Sequence, residues 1–142
     1  MEIKEKIWIE KDGKVVFGHG REELFLAIDE CRSLNAAAKK LNMSYRAAWG
    51  RLKASEKRLG VKLVESGTAK KGMTLTPTGK ALLDKFVHLE KVADAYLHKI
   101  SRDLAALIDR DKEPDDVREK YVQTGPGFST ATAQALWIPP SA

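Results

Sequence analysis

Residues 34–78 have the sequence LNAAAKKLNMSYRAAWGRLKASEKRLGVKLVESGTAKKGMTLTPT, and this stretch decides the fold. Apolar residues at helical spacing predict a short helix over residues 36–41 and a second helix from Tyr45 to about Leu59, with a turn at residues 42–43 between them. Two helices joined by so short a turn are typical of a helix-turn-helix.

Small polar residues and glycines mark where the predicted helices begin and end. Asn35 and Ser44 precede the two helices, and their side-chain oxygens can accept hydrogen bonds from free backbone N–H groups. Gly60 is a typical residue at the end of a helix. Thr76 followed by Pro77 predicts a further helix start, because threonine caps well and proline suits the first helical position.

Strand patterns lie on both sides of the two helices. Residues 62–65 and 73–75 are predicted strands that a charged tip, residues 66–72, connects into a wing. Near the N-terminus, residues 3–17 alternate apolar and polar side chains around a turn at residues 11–14, which predicts a β-hairpin.

Helical spacing returns outside this unit. Residues 21–31 are predicted to form an amphipathic helix, and a much longer helix is predicted from Pro77 to about Arg110. The apolar residues of the long helix recur at heptad spacing, which favours pairing with a second copy of the chain. The predicted dimer contacts are Leu82, Phe86, Leu89, Ala93, Tyr96, Ile100 and Leu104. Packing of this stripe against the body of the domain is the alternative.

Positive charge is concentrated between Lys39 and Lys80. This segment contains eleven lysines and arginines against two glutamates, a net charge of +9, while the whole chain carries +5. Such a concentration on a helix-turn-helix and a basic hairpin favours DNA as the partner. The fold class predicted from the element order is α+β, mainly α: a winged helix-turn-helix with an N-terminal β-hairpin and a long C-terminal dimerisation helix.

The second helix of the pair and the wing supply the candidate DNA contacts. An arginine in the first turn of such a helix can donate two hydrogen bonds to guanine, and later cations contact phosphates. The predicted DNA-binding residues are Ser44, Tyr45, Arg46, Arg51, Lys53, Lys57, Lys70 and Lys71. The alternative for each basic residue is an ordinary solvated surface, and a packing role for Tyr45.

Two further residues of this helix require an explanation. Trp49 is predicted to lie in the core with Ala48 and Leu52, rather than to stack on a base. Gly50 stands in mid-helix, where glycine costs about 1 kcal/mol relative to alanine. Close approach of the backbone to DNA or to a neighbouring helix would explain it.

The segments described above resemble a known family. AIDECRSLNAAAKKLNMSYRAAWGRLKASEKRLGVKLVES, with the basic wing and LTPTGKALL, resembles the N-terminal domain of ModE, the molybdate-responsive transcriptional regulators, and more distantly the LysR-type regulators. NMSYRAAWGRLK is the most specific motif, and the resemblance covers about residues 3–108. It implies a dimeric regulator that binds an inverted-repeat operator. It also implies recognition-helix contacts from Ser44, Tyr45, Arg46 and Arg51, and wing contacts from Lys70 and Lys71.

The C-terminal region departs from that family. Full-length ModE proteins continue into small β-barrel domains that bind molybdate or tungstate, and the sequence to Ala142 has no strand pattern for them. Direct oxyanion sensing is therefore not expected. Either the chain is a stand-alone DNA-binding member, or its oxyanion-sensing effector domain is a separate chain or was removed. The predicted domains are residues 1–76 for DNA binding, 77–112 for the dimerisation helix, and 113–142 as a loosely ordered tail.

No enzyme, cofactor or metal site is expected from the sequence. Cys31 has no histidine nearby in sequence to activate it, and His19, His88 and His98 are too scattered for a metal site. The sequence lacks a glycine-rich phosphate loop and a secretory signal. No apolar run approaches the roughly 18–20 residues that span a bilayer, and one cysteine suits a reducing cytoplasm.

The sequence therefore predicts a cytoplasmic, sequence-specific transcription regulator that binds double-stranded DNA as a homodimer. The alternative function is a winged-helix module for protein interaction or architectural DNA binding, without operator specificity. A protein-interaction module would bind DNA weakly and with little dependence on salt, whereas many phosphate contacts make affinity fall steeply as salt rises.

Overall fold

The computed structural model describes residues 1–113 and contains two hairpins and four helices. In chain order the elements are β1 (Trp8–Lys11), β2 (Lys14–Gly18), α1 (His19–Cys31), α2 (Leu34–Lys40), α3 (Tyr45–Leu59), β3 (Val64–Ser66), β4 (Met73–Leu75) and α4 (Pro77–Arg110). The chain forms two compact units, residues 1–101 and 102–142. Of the tail predicted over residues 113–142, only Glu113 belongs to the described residues.

This order confirms the predicted fold class. The N-terminal hairpin pairs β1 with β2 in antiparallel register, and the wing pairs β3 with β4 in the same way. Helices α2 and α3 form the helix-turn-helix, and α1 packs against both. The first unit is therefore a winged helix-turn-helix preceded by a hairpin, with α4 following the wing.

Three phenylalanines form the centre of the core in the first unit. The ring of Phe17 lies edge-on to Phe25, with 5.1 Å between centroids, and to Phe86, at 5.0 Å. All three side chains are buried, and edge-to-face pairs add about 0.5–1.5 kcal/mol to the stabilisation from burial alone. The N-terminal hairpin, α1 and α4 therefore share one core.

This core corrects one part of the predicted dimer interface. Phe86 is only 1% exposed, and Leu82 packs partly buried against the same cluster. The heptad spacing is real, but its first turns face the body of the chain, because the start of α4 must cover the hairpin and α1. The packing alternative is thus correct for these two residues.

The boundaries of α3 and α4 agree with the sequence signals. The Ser44 hydroxyl accepts a hydrogen bond from the Ala47 N–H at 3.0 Å, and Gly60 ends α3 with a φ of 71°. At the start of α4, the Thr76 hydroxyl accepts from the Gly79 N–H at 3.0 Å and donates to the Lys62 carbonyl at 2.8 Å. A side-chain cap of this kind contributes about 1 kcal/mol.

The boundaries of α1 and α2 differ from the prediction. Ser33, not Asn35, caps α2 by accepting from the Ala36 N–H at 3.1 Å, because the buried Leu34 already belongs to the first turn. Helix α1 begins at His19, two residues before the predicted start at residue 21. The start of α1 could not be located from apolar spacing, since its first large apolar residue is Leu24.

Beyond Phe86, α4 exposes much of its apolar stripe. In the first unit, Leu89, Val92 and Tyr96 are 44%, 53% and 61% exposed. The Ile3 N–H donates to the Ser101 hydroxyl at 3.0 Å, which attaches the chain start to this helix. In the second unit Leu104 is 38% exposed. Within residues 1–113, every helix is too short or too polar to cross a lipid bilayer.

Candidate nucleic-acid interface

The solvent-facing side of α3 carries predicted DNA-binding residues. Ala48 and Leu52 are buried, so the opposite side of the helix faces outward. Tyr45, Arg46 and Lys57 are all exposed, and Arg46 and Lys57 lie on this outer side. An α-helix with one side held in the core and the other free is the shape that the major groove admits.

The N-terminus of α3 combines a cap with exposed donors. The Ser44 oxygen accepts a hydrogen bond from the Ala47 N–H. The Ser44 hydroxyl can still donate its proton to another acceptor. Tyr45 is 51% exposed in the next position, which favours contact with an external partner over packing. The first N–H groups and the dipole of this helix end attract a phosphate.

Gly50 lies at the centre of the outer side. A β-carbon built there would meet no atom of the described residues within 4 Å. A neighbouring helix therefore does not explain the glycine, although the sequence left that open. Residue 50 has no side chain, so the outer side exposes backbone between Arg46 and Lys57.

Trp49 is not a core residue, contrary to the prediction. Its side chain is 44% exposed, and the Lys53 ammonium lies 4.5 Å from the centre of its ring. On the helix, Trp49 lies at the edge between the buried and outer sides, so apolar spacing alone could not place it. The ring and Lys53 form a cation–π pair beside the outer side.

Lys53 is also tied to Glu56. Its ammonium lies 3.0 Å from Glu56 Oε1, and Glu56 Oε2 accepts from the N–H groups of Leu63 and Val64 at 2.8 and 3.4 Å. Burial alone would raise the pKa of Glu56. The Leu63 N–H, the Lys53 side chain and the Val64 N–H together outweigh burial, so the pKa lies below its usual value. The buried Glu56 carboxylate therefore fastens α3 to the first strand of the wing.

Three arginines gather where α3 meets α1 and the N-terminal hairpin. Arg21 Nε donates to the Ser55 hydroxyl at 2.6 Å, and Arg58 donates to the Val15 carbonyl. The pKa of Arg21 is lowered by burial and then by the charges of Arg58 and Arg51. Arg58 therefore has a structural role, whereas Arg51 is exposed and remains available to a phosphate.

The wing is fixed at its base and exposed at its tip. Gly72 has a φ of +63°, and a β-carbon there would lie 2.2 Å from the Arg32 carbonyl oxygen, so only glycine fits. The Met73 N–H donates to that same carbonyl at 2.8 Å. Lys70 and Lys71 are exposed at the tip. The wing thus presents two lysines from an anchored hairpin.

One cluster was missed by sequence reasoning. His19, Glu22 and Glu90 each place a ligand-type atom within 4.8 Å of the others. His19 had been compared only with the other histidines. Glu90 reaches it through the packing of α4 near α1, and neither helix shows a ligand motif by itself.

Comparisons with known proteins agree with this geometry. Residues 21–80 match the family model described as bacterial regulatory helix-turn-helix protein, LysR family. An uncharacterised HTH-type transcriptional regulator of Mycobacterium bovis is 39% identical over 72 residues, which cover 51% of this chain and 22% of that protein. The chain thus spans about a fifth of the length of the curated relatives it matches.

The chain also has partial similarity to solved structures, with TM-scores below 0.5. The DNA-binding domain of CbnR, in a complex with DNA, is 30% identical with a TM-score of 0.48; the match covers 61% of this chain and 95% of that one. Oxidised OxyR of Corynebacterium glutamicum is 31% identical with a TM-score of 0.44, covering 57% and 26%. Residues 21–80 thus match the model of a helix-turn-helix family of bacterial regulators.

Proposed function

We propose that the chain is a sequence-specific transcriptional regulator that binds an inverted-repeat operator as a homodimer. The observation that carries this proposal is the outer side of α3, where Arg46 and Lys57 flank a glycine that no described residue approaches. Such a surface lets the helix backbone approach base edges closely. The family match of residues 21–80 supports DNA as the ligand.

In this proposal the candidate residues divide into two groups. Arg46 reads bases from the first turn of α3, with Ser44 and Tyr45 beside it. Phosphate contacts then come from Arg51, Lys53, Lys57, Lys70 and Lys71. To contact a phosphate, Lys53 must either break its ion pair with Glu56 or contact both groups at once. Base contacts would set the sequence preference, whereas phosphate contacts would set affinity and salt dependence.

The proposed dimer contacts are the exposed part of the α4 stripe. Leu89 and Tyr96 are more than 40% exposed, and Ala93 and Ile100 are half-buried at the same heptad positions. Leu104, in the second unit, follows Ile100 by four residues, at the point where the phase of the heptad slips. Leu82 and Phe86 are left out because they pack in the core. Large apolar side chains exposed at heptad spacing favour a second copy as the partner.

The relation to ModE rests on the NMSYRAAWGRLK motif and the N-terminal hairpin. The matched family model is that of the LysR regulators, which is the broader relationship. Control by molybdate or tungstate, through a separate oxyanion-sensing chain, remains a hypothesis based on the resemblance. We also propose that the protein acts in the cytoplasm, and that residues 1–76 bind DNA while residues 77–112 dimerise.

The proposal is tested by selecting binding sites from random double-stranded DNA with the full chain at several salt concentrations. A dimer with two copies of α3 should enrich two related half-sites about one helical turn apart. The Leu89→Asp variant should lose the paired half-sites but keep a folded domain. Salt-sensitive binding without an enriched motif would favour an architectural module, and no binding at low salt would favour a protein-interaction module.

A further inference from the structure

Three ligand-type side chains meet near the start of α1. His19 and Glu22 are three residues apart on α1, and Glu90 comes from α4 within the same compact unit. One ligand-type atom from each lies within 4.8 Å of the other two. We propose that these residues bind a first-row divalent transition metal ion, with Zn²⁺ and Mn²⁺ as the probes of choice.

Glu22 provides the strongest reason to expect a ligand. The residue is only 9% exposed, and its Oε2 atom is buried without a hydrogen-bond partner among the described residues. A buried carboxylate oxygen normally has a donor or a cation beside it, because loss of water is costly for a charged group. A metal ion bound to this oxygen would supply the missing partner.

The electrostatics around Glu22 point the same way. Burial raises the pKa of Glu22 to about 7, with further contributions from the neighbouring carboxyl of Glu90 and the charge of Glu23. The carboxyl groups of Glu22 and Glu90 therefore lie close together, with little solvent around Glu22. A divalent cation would relieve their repulsion, since an opposite charge favours the ionised form of each.

The donor set suits a transition metal rather than magnesium or calcium. Zinc binds both imidazole nitrogen and carboxylate oxygen, and carboxylates also suit manganese, whereas Mg²⁺ and Ca²⁺ prefer oxygen ligands alone. His19 Nε2 lies 3.2 Å from Glu23 Oε1. Glu23 can therefore orient the imidazole or serve as a fourth ligand. Metal–ligand bonds are about 2.0–2.2 Å long, so the three ligand atoms would have to move closer to one another to bind one ion.

A shared proton is the competing explanation. A proton between Glu22 and Glu90 would also satisfy the buried oxygen, and it requires no metal. The two explanations differ in one respect, because only a metal site involves His19 as well. A bound metal would also link α1 directly to α4, near the exposed Leu89 and Val92, and so restrain the helix proposed for dimerisation.

The test measures metal binding to the full 142-residue chain without an affinity tag. After chelation and dialysis at pH 7.5, the protein is titrated with Zn²⁺, Mn²⁺ and Mg²⁺, and bound metal is counted by mass spectrometry. We expect one Zn²⁺ or Mn²⁺ per chain, a rise in Tm, and at least tenfold weaker binding of Mg²⁺. His19→Ala and Glu90→Gln should each weaken binding at least tenfold.

Matched controls separate this site from other metal-binding side chains. His88→Ala and Cys31→Ser remove other candidate ligands and should leave stoichiometry and affinity unchanged. Glu22→Gln should lose the metal-induced rise in Tm. If the Glu22→Gln variant fails to fold, Glu90→Gln replaces it in this test, because Glu90 is only half-buried. The proposal is overturned if the wild-type protein binds no stoichiometric metal, or if His19→Ala and Glu90→Gln bind as tightly as wild type.

Discussion

Replacing Gly50 with alanine should make the protein more stable and a weaker DNA binder. The residue lies in the middle of α3, where alanine is favoured over glycine by about 0.8–1 kcal/mol. A β-carbon there would meet nothing within 4 Å in the described part of the chain, so no clash offsets this gain. For a domain of this size, 1 kcal/mol corresponds to a rise in Tm of about 4 °C.

The loss of DNA affinity has a separate cause. If α3 enters the major groove with its outer side, the new methyl group lies between the helix and the base edges. A misfit there should cost about 1–2 kcal/mol, on the scale of a lost base contact, or roughly five- to thirtyfold in Kd. Thermal unfolding followed by circular dichroism and fluorescence anisotropy with operator DNA measure the two effects independently.

Gly60→Ala, at the residue that ends the same helix, is the matched control. Gly60 has a φ of +71°, a conformation that costs alanine about 1 kcal/mol or more, so this variant should lose stability. Well below its Tm it should bind DNA like wild type. If Gly50→Ala gained stability and kept full affinity, the outer side of α3 would not be the DNA-binding surface. If Gly50→Ala lost stability, the space around the β-carbon of residue 50 would be smaller than the structure shows.

The remaining predictions concern the core, the wing and the charges. Phe86→Ala should lower the free energy of unfolding by about 3–5 kcal/mol, because Phe86 is buried against Phe17, whereas Tyr96→Ala should chiefly weaken dimerisation in analytical ultracentrifugation. Equal effects of the two on stability would contradict the division of α4 into core and interface parts. Glu56 stabilises the folded state above its usual pKa of 4.5, and this contribution should disappear as the pH falls through its lowered folded pKa. Chemical unfolding at pH 3–7 should show that Glu56→Gln is less stable than wild type at pH 7 and that the difference narrows in acid; a constant difference would refute the role of the carboxylate charge. Lys70→Ala should weaken binding to specific and random DNA about equally and reduce the salt slope by about 1 in anisotropy titrations. A selective loss of specific binding would instead make Lys70 a base-reading residue.

Local signals were sufficient for the parts of the fold that depend on neighbouring residues. Ser44, Gly60 and Thr76 each fix a helix end through their own side chain or backbone conformation, and all three act where the sequence placed them. The cap of α2 was misplaced because Ser33 and Asn35 are both good caps. The burial of Leu34 decides between them, and burial depends on the whole fold.

Long-range packing explains what the sequence could not predict. Phe86 stands at a heptad position, but its ring packs against Phe17 of the N-terminal hairpin and not against a second copy of the chain. Trp49 was apolar enough for the core but lies at its edge, beside Lys53. The meeting of His19 and Glu22 with Glu90 depends on how α4 passes α1, which no spacing within either helix encodes. In contrast, the basic outer side of α3 follows from helix geometry alone.

The most direct test of the account compares wild type with Arg46→Ala in salt-titrated binding to an enriched operator and to scrambled DNA. Wild type should prefer the operator, and its affinity should fall steeply with salt on both DNAs. Arg46→Ala should lose about 1–3 kcal/mol on the operator and little on scrambled DNA, so that the preference shrinks. Unchanged preference in the variant would show that α3 does not read the operator through Arg46 and would contradict the central claim.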